Sequence, residues 1–276
     1  VKVVSFDVTD DNLSDERLSI MGSADQIYMT QEHLYLAKYA ANVYSFIYHL
    51  NDSYDTTVIQ KIKLDSIGGK SLGVVGGVEG YAKDQWAFKE LGENGAYLAI
   101  ATTSRDNNNR FRNTTNNLFI LKQTEKKLKL HGSAKDFGRT EDIRSVRYVD
   151  DYVFIVTFRQ TDPLFAINIK DLSKPVIESE LKIPGFSTYM HPVGNGQMVG
   201  LGFDADDQGG FAQLRGIQLN LFDTSNPKDV KRVDHVIIGD RGSSSEATGD
   251  HHAFYFDPST KTLGIPIVEL KNYKSS

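Results

Sequence analysis

Cysteine is absent from all 276 residues, which excludes disulfides, thiolate metal sites, iron–sulfur clusters and a cysteine nucleophile together. Long apolar runs are absent too: no stretch approaches the roughly 18–20 residues a membrane helix needs, so no membrane insertion is expected within this chain. An excess of positive charge is likewise missing. Lys plus Arg number 31 against 36 Asp plus Glu, a net charge of −5, and that balance argues against a dedicated nucleic-acid partner. The chain opens at Val1 with no initiating Met and no signal or transit sequence, which reads as a processed or cut end. Finally, no window of 15 residues carries an apolar stripe of helical period; the best, Ala82–Leu91, is short and sets Trp86 and Phe88 in alternation. Helix content is expected to be small.

What the sequence does contain is strand signal. With 39% hydrophobic and 24% charged residues, the chain has enough apolar material to bury roughly three quarters of its unfolded surface. Runs of β-branched and aromatic residues bounded by Gly, Asn, Asp or Pro recur, as in His33–Tyr39, Ala96–Thr102, Tyr152–Phe158 and Gln197–Phe203. A longer pattern repeats as well. Ser5–Asp10, Ala166–Pro175 and Leu219–Pro227 share an apolar strand running into an Asp/Ser/Asn turn, twice closed by Pro. Asp and Ser side chains bond nearby backbone N–H groups and Pro presets φ, which ends a strand and reverses it. Hairpins precede these strands, through Asp150-Asp151 and Gly194-Asn195-Gly196.

Grouping strands by four gives the sets Gln26–Leu64, Gln85–His131, Ile143–Ile183 and Thr188–Ile238. Ala253–Asp257 and Leu263–Ile267 read as the first half of a further set, with Val1–Val8 and Arg17–Met21 as its second half. Radial four-stranded sheets are the blades of an all-β propeller, and a blade completed from both termini would protect its edges. A β-propeller of about five blades is therefore expected over a β-sandwich or an open repeat array. No linker rich in Pro, Gly or Ser divides the chain, so 1–276 reads as one propeller domain, or as an excised portion of a larger propeller.

Ile143–Tyr148, Val156–Phe165, Leu181–Ser187, Leu221–Pro227 and Gly239–Ser243 resemble the secreted bacterial and archaeal β-propeller domain family, whose members are described as exported or cell-surface proteins. Before residue 140 the match thins to Trp86-Ala87, Ala101–Ser104 and Asn117–Phe119. The resemblance implies a propeller fold and an extracytoplasmic, secreted or cell-surface location, and it implies no particular reaction. Domains of this family normally run beyond both ends of a chain this long.

Loop lengths point to a working face. First-to-second and third-to-fourth strand turns are short, whereas Ile67–Glu79, Thr103–Asn116, Arg159–Pro163, Asp204–Arg215 and Asp240–His252 are long. In a four-stranded meander the long classes emerge on one face, and long loops in compact domains tend to carry function.

Several constellations there have chemical meaning. Arg144, Arg147, Arg159 and Arg241 sit on innermost strands or adjacent loops, and their planar forks suit carboxylate or phosphate. The same forks serve equally as structural partners of Asp162, Asp240 or Glu246, the reading favoured here. Asp204, Asp206 and Asp207 beside Gly209-Gly210 offer the oxygen ligands and curvature calcium needs, without the spacing or terminal Glu of an EF-hand. His251-His252, with His191, Asp240, Glu246 and Asp250, supplies ligand types for zinc, although ordinary hydrogen-bonding histidines account for them more simply. Ser243–Ser245 near His251 and Asp250 has triad residue types but no nucleophile elbow. Ile67–Ser71 lacks the spacing and the βαβ setting of a phosphate loop. Arg105, Arg110, Phe111 and Arg112 mix cations with an aromatic, yet one such loop in an acidic chain makes a poor nucleic-acid site.

The reading these residues favour is a non-enzymatic binding module of an exported or cell-surface protein, presenting the long-loop face to a protein or carbohydrate partner. Its rival is a metal-assisted hydrolase or lyase working over the propeller axis through His191, His251 or the Asp204 loop. A spacer role is the third.

Overall fold

The computed structural model describes residues 2–6, 15–19, 23–40, 55–64, 73–105, 114–158, 162–207 and 212–271. Strands β1 (Lys2–Phe6) and β2 (Asp15–Ser19) form a two-stranded antiparallel sheet. Four four-stranded sheets follow, each with its strands adjacent in chain order. The first holds β3 (Gln26–Met29), β4 (His33–Ala40), β5 (Thr56–Lys63) and β6 (Val74–Glu79). The second holds β7 (Phe88–Leu91), β8 (Tyr97–Arg105), β9 (Thr114–Gln123) and β10 (Leu128–Phe137). The third holds β11 (Asp142–Val149), β12 (Tyr152–Phe158), β13 (Asp162–Asn168) and β14 (Val176–Ile183). The fourth holds β15 (Phe186–Gly194), β16 (Gln197–Asp207), β17 (Ala212–Asp223) and β18 (Lys231–Ile238). A last two-stranded sheet pairs β19 (Tyr255–Asp257) with β20 (Thr262–Gly264). Among the described residues the helical segments of three residues or more are single 3-10 turns, and none is long and apolar enough to cross a membrane.

The repeated turn chemistry is present in the second and third repeats, while the turn of Ser5–Asp10 lies outside the described residues from Asp7 on. Asp171, Asp223 and Asp257 each accept from the backbone N–H and the hydroxyl of the Ser two residues on, at 2.8–2.9 Å and 2.6–2.7 Å. Those bonds hold the Asp257 carboxyl down to about 2. Asn195-Gly196, both at positive φ, make the tight turn from β15 to β16.

Strand extents differ from the sequence reading at several ends, such as Leu263–Ile267, where the strand is Thr262–Gly264, and most in three of the four-stranded sheets. The set read as Gln26–Leu64 runs on to β6, which Gly76-Gly77 disguises as loop; an added Cβ at Gly76 would lie 2.6 Å from the Leu128 carbonyl oxygen, so this strand needs a glycine there. β10 continues past His131 to Phe137. β16 and β17 extend through Asp207 and from Ala212, leaving a connection of residues 208–211 alone.

The chain divides into two compact units, Val1–Asn113 with Asn117–Ser133, and Thr114–Asn116 with Ala134–Ser276. In the first, Leu34, Leu36 and Ile62 pack together. Beside them lies a buried polar network. The Glu90 carboxylate accepts from the Tyr35 hydroxyl at 2.6 Å and lies 2.9 Å from His33 Nδ1, while the Glu90 N–H donates to the Tyr28 hydroxyl at 3.1 Å. Lys61, only 3% exposed, donates to the Gly95 carbonyl and to Gln123 Oε1, both at 2.6 Å. Burial pushes the Lys61 ammonium and the His33 imidazole down and the Tyr35 hydroxyl up.

In the second unit, Phe154, Val156, Phe158, Leu164, Phe186, Met190 and Phe222 build one apolar core. Second strands fill it: β12 buries six consecutive residues, Val153–Phe158, which is why its sequence is apolar on both faces. Outer strands read differently. β14 and β18 interleave Lys, Glu, Arg and Asp with their apolar residues and stay largely exposed, the composition expected of a sheet edge guarded against pairing with another chain. The inner strands β11 and β15 are tied by the Ser145 hydroxyl to the Ser187 carbonyl, 2.9 Å, and Arg147 Nε to the Met190 carbonyl, 2.7 Å.

Candidate functional site

A cleft of about 460 Å³ opens on the second unit where the far ends of β16 and β17 meet the turn after β18. Three backbone facts build it. Phe203 pairs with Phe186 at the start of β15, and Leu214 pairs with Ala205 beyond a bulge in β16. Gly239 and Gly242, at φ +68° and +95°, bend the chain after β18. That bend is pinned to Leu270: the Asp240 N–H donates to its carbonyl at 2.7 Å, and its own N–H donates to the Ser243 hydroxyl at 2.9 Å. The result places Phe203, Gln213, Leu214, Arg215, Arg241, Gly242 and Ser243 around one space. It lies beside the β16–β17 connection, which the sequence reads as the long loop Asp204–Arg215 and the strands shorten to residues 208–211, and beside the turn after β18.

An aromatic ladder supports the Phe203 wall. Phe158 stacks on Phe186 at 4.2 Å between ring centroids, and Phe186 meets Phe203 at 5.7 Å. The Arg144 guanidinium sits 5.8 Å and 5.5 Å from the Phe158 and Phe186 rings, a cation–π position. Its Nε is buried and has no hydrogen-bond partner among the described residues.

A second cluster surrounds Tyr189. Arg147 lies 5.1 Å over its ring, its hydroxyl is 3.1 Å from His191 Nδ1, and His251 stacks on it at 6.4 Å. Phe254 and Phe256 close on His191 at 5.0 and 5.5 Å. Burial first, then the nearby Arg147 charge, pushes the His191 pKa down. His191 is therefore neutral at pH 7. An NMR titration of the histidine ring protons is expected to give His191 a midpoint below 6.5, its ordinary value. Because the unfolded chain then takes up a proton that the folded one refuses, this group removes stability as pH falls below 6.5. A midpoint at or above 6.5 would refute the burial assignment.

The sequence-derived candidates thus separate. Arg144 and Arg147 are half-buried and engaged with aromatic rings and backbone, in keeping with a structural role. Arg241 stands exposed in the cleft and makes no ion pair or hydrogen bond among the described residues. Asp240 contributes its backbone to the pinned bend, and Glu246 opens the 3-10 turn Glu246–Thr248. Asp204 is buried at the β16 bulge, and Asp206 and Asp207 continue that strand opposite Gln213 and Ala212, so the calcium candidates lie along a strand. Asp162 begins β13; Arg159, Arg110, Phe111, Arg112 and Ile67–Ser71 lie outside the described residues. The Ser243 hydroxyl is occupied by the Leu270 backbone. Asp250, His251 and His252 do come together, with one ligand atom from each within 4.8 Å of the others. Phe203, Gln213, Leu214 and Arg215 were not singled out by the sequence, since no local motif marks them.

Four-stranded meanders recurring along the chain agree with the profile of the Beta propeller domain family, which matches residues 1–276. The chain belongs to that family. An uncharacterized protein of Methanocaldococcus jannaschii is 37% identical over 216 residues, covering 78% of this chain and 31% of its own length. One from Archaeoglobus fulgidus is 35% identical over 176 residues, 64% of this chain and 25% of its own. This propeller chain therefore spans less than a third of the curated relatives it matches. Among solved structures, the periplasmic gluconolactonase of Pseudomonas aeruginosa is 13% identical with a TM-score of 0.41, over 98% of this chain and 92% of that one. At that score the likeness carries no argument about activity.

Proposed function

We propose that this propeller is a non-enzymatic binding module of an exported or cell-surface protein, and that its long-loop face takes a protein or carbohydrate partner bearing carboxylate groups. The observation that carries the reading is the cleft: its lining combines two guanidinium groups, an aromatic wall and an amide, with no carboxylate or imidazole among the described lining residues. Arginine forks pair bidentately with carboxylates, and an aromatic ring beside polar groups is the surface on which a sugar or an aromatic side chain rests. The extracytoplasmic location rests on the resemblance of Glu141 onward to exported propeller proteins.

Calorimetric titration with an acidic oligosaccharide and, separately, an acidic peptide tests this. Binding of one of them is expected to weaken at least tenfold in Arg241→Ala, an exposed site whose truncation leaves the fold intact. Added salt is expected to weaken it further, as for any exposed charge pairing. No binding of either probe, or binding of the acidic probe unaltered by Arg241→Ala, would sink the proposal.

A further inference from the structure

Apart from the cleft, the described residues hold a set of nitrogen and oxygen donors that the binding reading does not use. Asp250 caps the 3-10 turn His251–Ala253: its Oδ1 accepts from the His252 N–H at 2.9 Å and lies 2.8 Å from His252 Nδ1. The imidazoles of His251 and His252 lie 4.0 Å apart, tilted by 35°. His251 is half-buried and stacked on Tyr189, so its ring is held in place by packing, whereas the His252 side chain is 79% exposed and rests against Asp250 Oδ1 and the His251 ring. We propose that Asp250, His251 and His252 bind a divalent transition-metal ion, with zinc as the physiological fit and calcium excluded.

Chemistry and geometry both bear on this. Two imidazoles and one carboxylate are the donor set of borderline cations such as zinc and copper, while calcium takes an all-oxygen shell. Zinc bonds of about 2.0–2.1 Å bring tetrahedral ligand atoms to about 3.4 Å of one another. The three donors already lie within 4.8 Å, and rotation of the exposed His252 ring closes the difference without moving backbone. The cap bonds fix Asp250 and the backbone of His252 beforehand, so less ordering remains when the ion binds. Asp250 and His252 are both exposed, so the three donors stand at the surface as those of an open three-ligand zinc site would. This proposal does not rest on the carboxylate-binding reading of the cleft.

Tag-free protein titrated calorimetrically with zinc chloride and with calcium chloride decides it. One zinc per chain is expected, with no calcium competing for it. His252→Ala is expected to weaken zinc at least tenfold with little change in the thermal melt, because the His252 side chain is 79% exposed. His235→Ala, an exposed histidine on β18, is expected to leave zinc binding unchanged. With copper(II) as probe, electron paramagnetic resonance is expected to show two coordinated imidazole nitrogens in wild type and one in His252→Ala. Absence of zinc binding, binding unaltered by His252→Ala, or displacement of zinc by calcium would each overturn the site.

Discussion

Gly202→Ala is expected to destabilise the second unit by about 3 kcal/mol or more, the upper range for overpacking a rigid interior. Gly202 lies on β16 opposite Ser187, in the pair of strands that begins the aromatic ladder. A methyl added there would fall far inside the van der Waals contact distance of the Phe186 carbonyl oxygen and 2.8 Å from both its carbon and Ser187 Cα. All three are backbone atoms, so no side chain can swing aside. The strand must move, and Phe203, the next residue, moves with it; loss of stability and loss of the cleft's aromatic wall are expected together. Gly264→Ala is the control. There the added methyl meets only Tyr255 side-chain atoms at 3.8 Å, an ordinary contact, and a change within about 0.5 kcal/mol is expected. Urea unfolding of both variants measures this, and a Gly202→Ala protein as stable as Gly264→Ala would refute the packing argument.

Glu90→Ala should have a comparable effect on the first unit, about 3–5 kcal/mol, the usual consequence of removing one partner from a buried charged network. The Tyr35 hydroxyl, on a residue 1% exposed, loses its acceptor, and the His33 ring loses the carboxylate 2.9 Å away. Lys61 also loses a compensating charge: burial lowers its pKa, and Glu90 is the largest influence raising it. Glu90→Gln keeps an acceptor for Tyr35 and should cost less. The pH dependence has a definite sign. Burial depresses the His33 pKa from 6.5, so the folded state binds fewer protons than the unfolded one and stability falls as pH drops below 6.5. Glu90 opposes that depression, so the gap between wild type and Glu90→Ala is expected to widen from pH 7.5 to pH 5.5. Melts across that range test it; a constant gap, or a loss below 1 kcal/mol, would show the network to be slack.

Much of the architecture was legible because it is written locally. The Asp-x-Ser turns at Asp171 and Asp223 announce where a third strand reverses, and Asn195-Gly196 admits little but a hairpin. What was hidden depends on distant partners. β6 looks like a loop until Leu128 is seen against Gly76, and Asp204–Asp207 look like a loop because aspartate is a poor strand former, although pairing with Ala212–Leu214 extends the strand regardless. The cleft was half legible. Arg241 was named from the sequence, with a structural ion pair as its favoured role, but Phe203, Leu214 and Arg215 line the cleft beside it only because the bend pinned to Leu270 returns beside β16 and β17. Of the histidine cluster, His251 and His252 were visible as neighbours, whereas the seat that Tyr189 gives them required the β15 strand to be placed.

The nearest-neighbour order of every four-stranded sheet bears on how the chain reaches its fold. Within each four-stranded sheet the strands pair in chain order, so closing β11 on β12 spends only the entropy of a two-residue turn. Low sequence separation of this kind speeds folding for a given amount of β-structure and shortens the time that unpaired edges are open to other chains. Each four-stranded sheet is thus expected to form as an early cooperative step in its own right.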